Sequence, residues 1–378
     1  MKIRRYFMED WLNESFARPY NLSASGSQDL TVRELLDLCG EDAEGMLPLS
    51  LGDNDTMGSE GLREEIRACY DNVSPNEVMV TNGSSEALFC FFNEFLQAGD
   101  EVIIPFPAFQ CLYQVPMAIG CTMNYLPVLE SEGWRLYIDR LEEMVTSKTK
   151  LIIINNPHNP VGWVLSDDEI RRIGRIAAAN GCGLLFDEHY RYLPLNEGTD
   201  LLSSGYCLCK DICPDTFASG SMIKCFGIVG LRIGWLLGEP RFLSRCRDYK
   251  DYITHTTPSI TDHLGRLALK NKEALIKRKK QDILPNTALL TDFMGRHREL
   301  FDYVPPEGGV VCFPCLKFMT DSSRFCRDLV ERTGVSFLPG MGFEIEEHFR
   351  INVGVDRELF ATAIRLLEDW LGDFLKRV

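Results

Sequence analysis

The chain has 378 residues, with 55 acidic against 40 basic side chains and a formal charge of -15. That length calls for one large domain with a smaller companion, and the negative balance opposes nucleic acid and anionic membranes while mildly favouring a cationic small molecule. No stretch approaches the length of a membrane span, and the basic start "MKIRRYFMEDWL" meets Glu9 and Asp10 before any apolar signal region, so a cytoplasmic location is expected.

The first 45 residues are expected to pack with the C-terminal part. Between about residues 80 and 240, short β-branched runs alternate with longer amphipathic ones. Strands are predicted at "EVIIPF" from Glu101, "TMNYLPV" from Thr122, "KLIIINN" from Lys150, "GLLFDE" from Gly183, "DTFASG" from Asp215 and "RIGWLLG" from Arg232. Helices are predicted at "SSEALFCFFNEFLQ" from Ser84 and "DDEIRRIGRIAAAN" from Asp167, the second with a Ser166/Glu169 capping box and a stop at Gly181. The alternation implies an α/β fold with a mostly parallel, doubly wound sheet, and places ligands at the carboxyl ends of the strands. Residues 46–255 are read as this large domain and residues 256–378 as a smaller α+β domain. Within the latter, "LALKNKEALIKRKKQ" reads as a solvated helix face, "GVVCFPC" and "RINVGV" as strands, and the chain from about Arg357 as a last helix. The fourteen cysteines read as reduced, mostly buried thiols. A lone CxxC at Cys312 and Cys315 lacks the second pair usual in structural zinc sites, so no metal is expected.

The segment "SGSMIKCFGIVGLRIGW" sets Lys224 after a strand, among glycines and eight residues before Arg232. A lysine held out of water there is nucleophilic near neutral pH and condenses with an aldehyde, which points to pyridoxal 5'-phosphate. That cofactor needs a phosphate cradle, a carboxylate for its ring nitrogen, donors to its phenolate oxygen and a flat group on its ring. Gly83, Ser84 and Ser85 open a helix, where free N–H groups attract phosphate; Ser221 and Arg232 complete the cradle. Asp187 in "FDEHY" suits the ring nitrogen, with Tyr190 three residues later; Asn159 in "NNPHNPVG" sits in a Pro-rich turn after another strand, and Phe109 is a stacking candidate. Taken singly, each also reads as a cap, a turn former, a core ring or a surface charge; order and placement at successive strand ends set them apart.

The series "NGSSEAL", "NNPHNPVG", "DEHY", "SGSMIKCFGIVGLRIGW" and "FRINVG" resembles the fold-type I pyridoxal-phosphate transferases, the class I/II aminotransferase superfamily, over nearly the whole chain. The resemblance implies Lys224 as covalent anchor and proton shuttle, Asp187 on the ring nitrogen, and Tyr190 and Asn159 on the phenolate oxygen. It gives phosphate to Ser84, Ser85, Ser221 and Arg232, stacking to Phe109, and the substrate α-carboxylate to Arg350. A homodimer with a shared site is also implied.

Two departures narrow the expectation. Ile223 stands where a serine is usual, and Asp53 where many relatives carry a tyrosine that reaches the partner's phosphate; a carboxylate there suits a cationic substrate group instead. With the N-terminal segment and "RDYKDYITHTTPS", the chain is similar to the arginine-cyclising branch, the capreomycidine and enduracididine synthase type, which acts on a hydroxylated arginine. Glu9, Asp10 and Asp53 are candidates for the guanidino end, with helix capping as the plain alternative for the first two. Ser25 and Gly26 resemble a loop that closes over substrate, and His255 lies where the family places residues contributed across the dimer. An ordinary amino-acid aminotransferase is the alternative activity.

Overall fold

The computed structural model describes residues 2–196, 199 and 201–375. Its centre is a seven-stranded sheet: β1 (Val78–Asn82), β2 (Glu101–Phe106), β3 (Thr122–Pro127), β4 (Thr149–Asn155), β5 (Gly183–Asp187), β6 (Thr216–Ser221) and β7 (Ile233–Leu237), in the spatial order β1-β7-β6-β5-β4-β2-β3. β7 runs antiparallel to both neighbours, and the remaining pairs are parallel.

Strand alternation divides the side chains between two apolar layers. Leu151, Ile153, Leu185, Phe217 and Leu236 pack with Phe91 and Phe92 of the helix Ser84–Phe95. Ile152, Ile154, Leu184, Phe186 and Leu237 face the other way, toward Ile170 and Ile173 of the helix Asp167–Asn180. Each such residue, fully buried, contributes roughly 1.5–3 kcal/mol of transfer free energy. The second helix begins with the expected capping box and ends at Gly181, whose φ of 65° suits glycine.

Differences from the sequence expectation have local causes. β1 was absent from the predicted strands; it is a short run stabilised by pairing with the distant β7. β7 starts at Ile233 because Arg232 adopts a φ of 52°, outside strand geometry. "GVVCFPC" does not form one strand: Val311–Cys312 (β8) and Cys315–Leu316 pair with different partners, and Pro314 between them lacks the N–H a ladder needs. β8, Leu338–Pro339 (β9) and Phe349–Asn352 (β10) make a small antiparallel sheet in the order β8-β10-β9. The basic stretch breaks at Asn271 into the helices Ser259–Lys270 and Lys272–Arg296, and it is not solvated throughout. Lys279 is buried, its apolar stem crossing the interior so that Nζ donates to the Gln28 carbonyl at 2.6 Å.

The N-terminal segment crosses the molecule. Trp11 Nε1 donates to Phe337 O at 2.8 Å, Tyr20–Asn21 pairs with Val335–Ser336, and Ser27 N and Leu30 N then donate to the carbonyls of Lys224 and Gly227 at 2.8 and 2.7 Å. Among the described residues, no helix is long and apolar enough to cross a membrane.

Candidate active site

Sheet register assembles the site. Asn155 and Asp187 are direct partners at the ends of β4 and β5, Asp187 pairs with Ser219, and Ser221 with Gly234. Carboxyl ends of adjacent strands therefore deliver an amide, a carboxylate and hydroxyls to one edge. Above that edge lies a cleft of about 560 Å³ lined by residues that include Ser84, Ser85, Phe109, Asn159, Asp187, Tyr190, Lys224, Arg232 and Arg350.

The floor is a buried network around Asp187. Its Oδ1 accepts from Ser219 Oγ at 2.8 Å and lies 2.8 Å from His189 Nε2, while Asn155 Nδ2 donates to Oδ2 at 3.2 Å. His189 Nδ1 lies 2.8 Å from Ser221 Oγ, so one imidazole joins the carboxylate to the hydroxyl predicted for phosphate. Neither Asn155 nor His189 stands out in the sequence: Asn155 reads as an ordinary strand-end residue until register sets it opposite Asp187, and His189, two residues after Asp187, reads as part of a turn although its ring folds back onto the carboxylate.

An anion-binding end sits beside this floor. The helix Ser84–Phe95 begins after Gly83, whose φ is 77° and which offers no side-chain cap, leaving N–H groups and the positive end of the dipole facing the cleft. The Arg232 guanidinium lies over Gly83 so closely that an added Cβ would come within 2.5 Å of Nη2. Gly234 is needed for the same packing, since a Cβ there would meet the Gly83 carbonyl carbon at 2.4 Å. Ser84 is buried, whereas Ser85 and Arg232 remain exposed at the cleft mouth.

Lys224 Nζ donates to Ser25 Oγ at 2.8 Å. Surrounding protein desolvates the ammonium, and the Arg350 and Arg232 charges add to that effect, against opposing pulls from Glu9 and Asp187; the amine falls to a pKa of about 8. Tyr190 is buried beneath it, its hydroxyl donating to the Ser25 carbonyl at 2.8 Å.

Arg350 forms the opposite wall. It is 2 % exposed; Nη1 donates to Asn159 Oδ1 at 3.1 Å and Nη2 to Ser23 O at 2.8 Å. Burial draws it down to a pKa of about 10, still cationic at neutral pH. Asn159 in turn is held by its own N–H, which donates to Asn155 Oδ1 at 2.6 Å.

Glu9, on the helix Phe7–Ser15, and Ser25 and Gly26 line the cleft. Asp10 pairs with Arg5 instead. Asp53 and His255 are exposed outside the cleft of this chain, and His255 Nδ1 lies 3.3 Å from Asp251. Tyr6, unremarked in the sequence, also lines the cleft, with its ring centroid 6.2 Å from that of Phe109.

The profile of the aminotransferase class I and II family matches residues 53–367. The chain belongs to that family. Pyridoxal 5'-phosphate is the family's cofactor, and the residues present fit it: an uncapped helix start under a guanidinium for phosphate, a buried carboxylate, and a desolvated amine. Capreomycidine synthase from Streptomyces vinaceus is 27 % identical over 373 residues, 97 % of this chain and 93 % of that one. The PLP-dependent cyclase OrfR, solved in complex with Au, superposes with a TM-score of 0.90 at 27 % identity, covering 99 % of this chain and 98 % of its own. A PLP-dependent aminotransferase from Streptococcus suis gives 0.91 at 26 % identity, with 99 % of both chains covered.

Proposed function

We propose that this protein is a pyridoxal-phosphate-dependent cyclase that converts a hydroxylated L-arginine to a cyclic guanidino amino acid of the capreomycidine or enduracididine kind. The change is redox-neutral. Cα loses and later regains a proton, the side-chain hydroxyl leaves as water, a guanidine nitrogen gives up a proton as it bonds to carbon, and the amino group stays.

When bound, the cofactor supplies an electron sink for the charge that develops at Cα. Asp187, fixed by Ser219, Asn155 and His189, holds a proton on the ring nitrogen. Lys224 Nζ, near its own pKa at neutral pH, takes and returns the Cα proton. Arg350 holds the α-carboxylate with Asn159 beside it. Asn159, and Tyr190 once its hydroxyl turns from the Ser25 carbonyl, would donate to the phenolate oxygen, Phe109 would cover the ring, and Ser84, Ser85, Ser221 and Arg232 would hold phosphate.

The observation that carries the choice of substrate is Glu9. A carboxylate lines the same cleft as Lys224 and Arg350 and acts on the charge of both, which suits a substrate carrying a cation beyond its α-carboxylate. Likeness to capreomycidine synthase along nearly the whole chain supports the same choice. We place Asp53 at the guanidino group of a neighbouring subunit's cleft in a homodimer; the apolar Leu51 and Tyr252, 85 % and 95 % exposed, lie close in sequence to Asp53 and His255 and suit burial in such an interface. In this arrangement residues 46–255 carry the cofactor, and residues 1–45 close over it together with residues 256–378.

The test is to supply β- and γ-hydroxyarginine without a keto acid and to look by mass for loss of one water. No turnover of either isomer removes the proposal. An aminotransferase with the same cofactor is the second reading, supported by the likeness to the S. suis enzyme; rapid conversion of the cofactor to its amine form by glutamate would favour it.

A further inference from the structure

Outside the residues that line the cleft, Cys315 and His348 face each other across an antiparallel backbone bridge. Flanking bonds from Leu316 N to Glu347 O at 2.8 Å and from Phe349 N to Pro314 O at 3.1 Å lock that pairing, so main chain sets their separation. Glu130, on the single turn Glu130–Glu132 just past β3, reaches the same point. One donor atom from each of the three lies within 4.8 Å of the other two. The imidazole is oriented by stacking on Phe313, at a centroid distance of 4.9 Å, and by edge contact with Trp134 at 5.4 Å.

We propose that Glu130, Cys315 and His348 bind a divalent transition metal of the zinc class, and that this ion ties the segment after β3 to the strand that carries Arg350. Thiolate, imidazole and carboxylate form a donor set that zinc takes tetrahedrally, with a fourth position for water. Glu130 Oε2 and His348 Nε2 are 3.2 Å apart. Glu130 Oε1 and His348 Nδ1 are buried without a hydrogen-bond partner among the described residues. Glu347 adds negative charge around Cys315, while that of Asp302 is offset by Lys317, 3.0 Å from it. Cys312, the other half of the CxxC, is turned away and buried, 3.9 Å from Tyr303 Oη. The site thus departs from the expectation of no metal, because its ligands come from three separate segments and leave no spacing signature.

The holoprotein, stripped with a chelator and checked for retained colour and fold, is titrated with Co²⁺. Expected are one ion per chain, ligand-field bands at wavelengths longer than the cofactor absorbs, and displacement by Zn²⁺. Cys315→Ser and Glu130→Gln should each weaken binding by roughly ten-fold or more, while Cys121→Ser, at a thiol elsewhere, should leave it unchanged. Zn²⁺ should raise the Tm of the unsubstituted protein and not that of Cys315→Ser. Equal affinity in Cys315→Ser and the parent, or no stoichiometric binding by the folded parent, overturns the proposal.

Discussion

The His189 imidazole is hydrogen-bonded to the Asp187 carboxylate, with Nε2 2.8 Å from Oδ1. Because Nδ1 meets Ser221 Oγ at the same distance, one ring braces both the carboxylate proposed for the ring nitrogen and a hydroxyl proposed for phosphate. His189→Phe removes two buried bonds, each worth about 1 kcal/mol, so cofactor affinity should fall roughly ten-fold or more. Absorbance titration of the apoprotein measures it; an unchanged Kd would show that the ring only fills space.

Lys224 makes a pH-dependent prediction. With its pKa drawn down to about 8, the amine is mostly protonated at pH 7 and neutral at pH 9. Capture of added cofactor by the apoprotein should therefore accelerate as pH rises, reach half its limiting rate near pH 8 and then level off. Stopped-flow absorbance across pH 6 to 10 checks this, and an inflection near an ordinary lysine value would contradict it. Lys224→Ala should bind cofactor without the colour of the lysine linkage.

Arg350→Lys tests carboxylate recognition. The ammonium cannot reproduce the fork that reaches Asn159 and Ser23 while leaving a face for substrate. Loss of charge-assisted bonds worth about 1.5–3 kcal/mol should raise KM roughly 10- to 100-fold, with little change in cofactor binding. Steady-state kinetics beside an absorbance titration separate the two effects.

His158 predicts an acid sensitivity. It is buried against Trp163, with centroids 4.6 Å apart, and burial lowers its pKa to about 3. Between the ordinary value near 6.5 and about 3, the unfolded chain binds a proton that the folded one does not. Stability from this residue is therefore present above pH 6.5 and is lost on acidification, at about 1.4 kcal/mol per pH unit. Urea unfolding at pH 6.5, 5.5 and 4.5 should show a shallower decline in His158→Phe, which keeps the ring and cannot titrate.

The strands Thr149–Asn155, Gly183–Asp187 and Thr216–Ser221 were legible because each is a buried run that ends in polar residues, and the sheet carries Asn159, Asp187, Ser221 and Lys224 to the same place in sequence order. β1 was not, since five residues without a flanking pattern gain strand character from β7. Lys279 was misread for the same kind of reason: periodicity reports the face of a helix, and a long side chain beginning near that face can still end in the interior. Asn155 needed register, a property of pairs of strands that single stretches of sequence do not carry, and His189 needed a side-chain direction, turned toward both Asp187 and Ser221, that its place two residues past Asp187 does not reveal.

The peptide groups of Ser27 and Leu30 hold the carbonyls of Lys224 itself and of Gly227 three residues on, and Lys279 holds the Gln28 carbonyl between those two donors. Residues 27–30 are thus part of the mount on which that lysine stands. A recombinant version trimmed to begin after Leu30, or a protease nick upstream of it, would strand two acceptors and a buried ammonium at once, and the damage would register first as bleached protein rather than as a leaky lid.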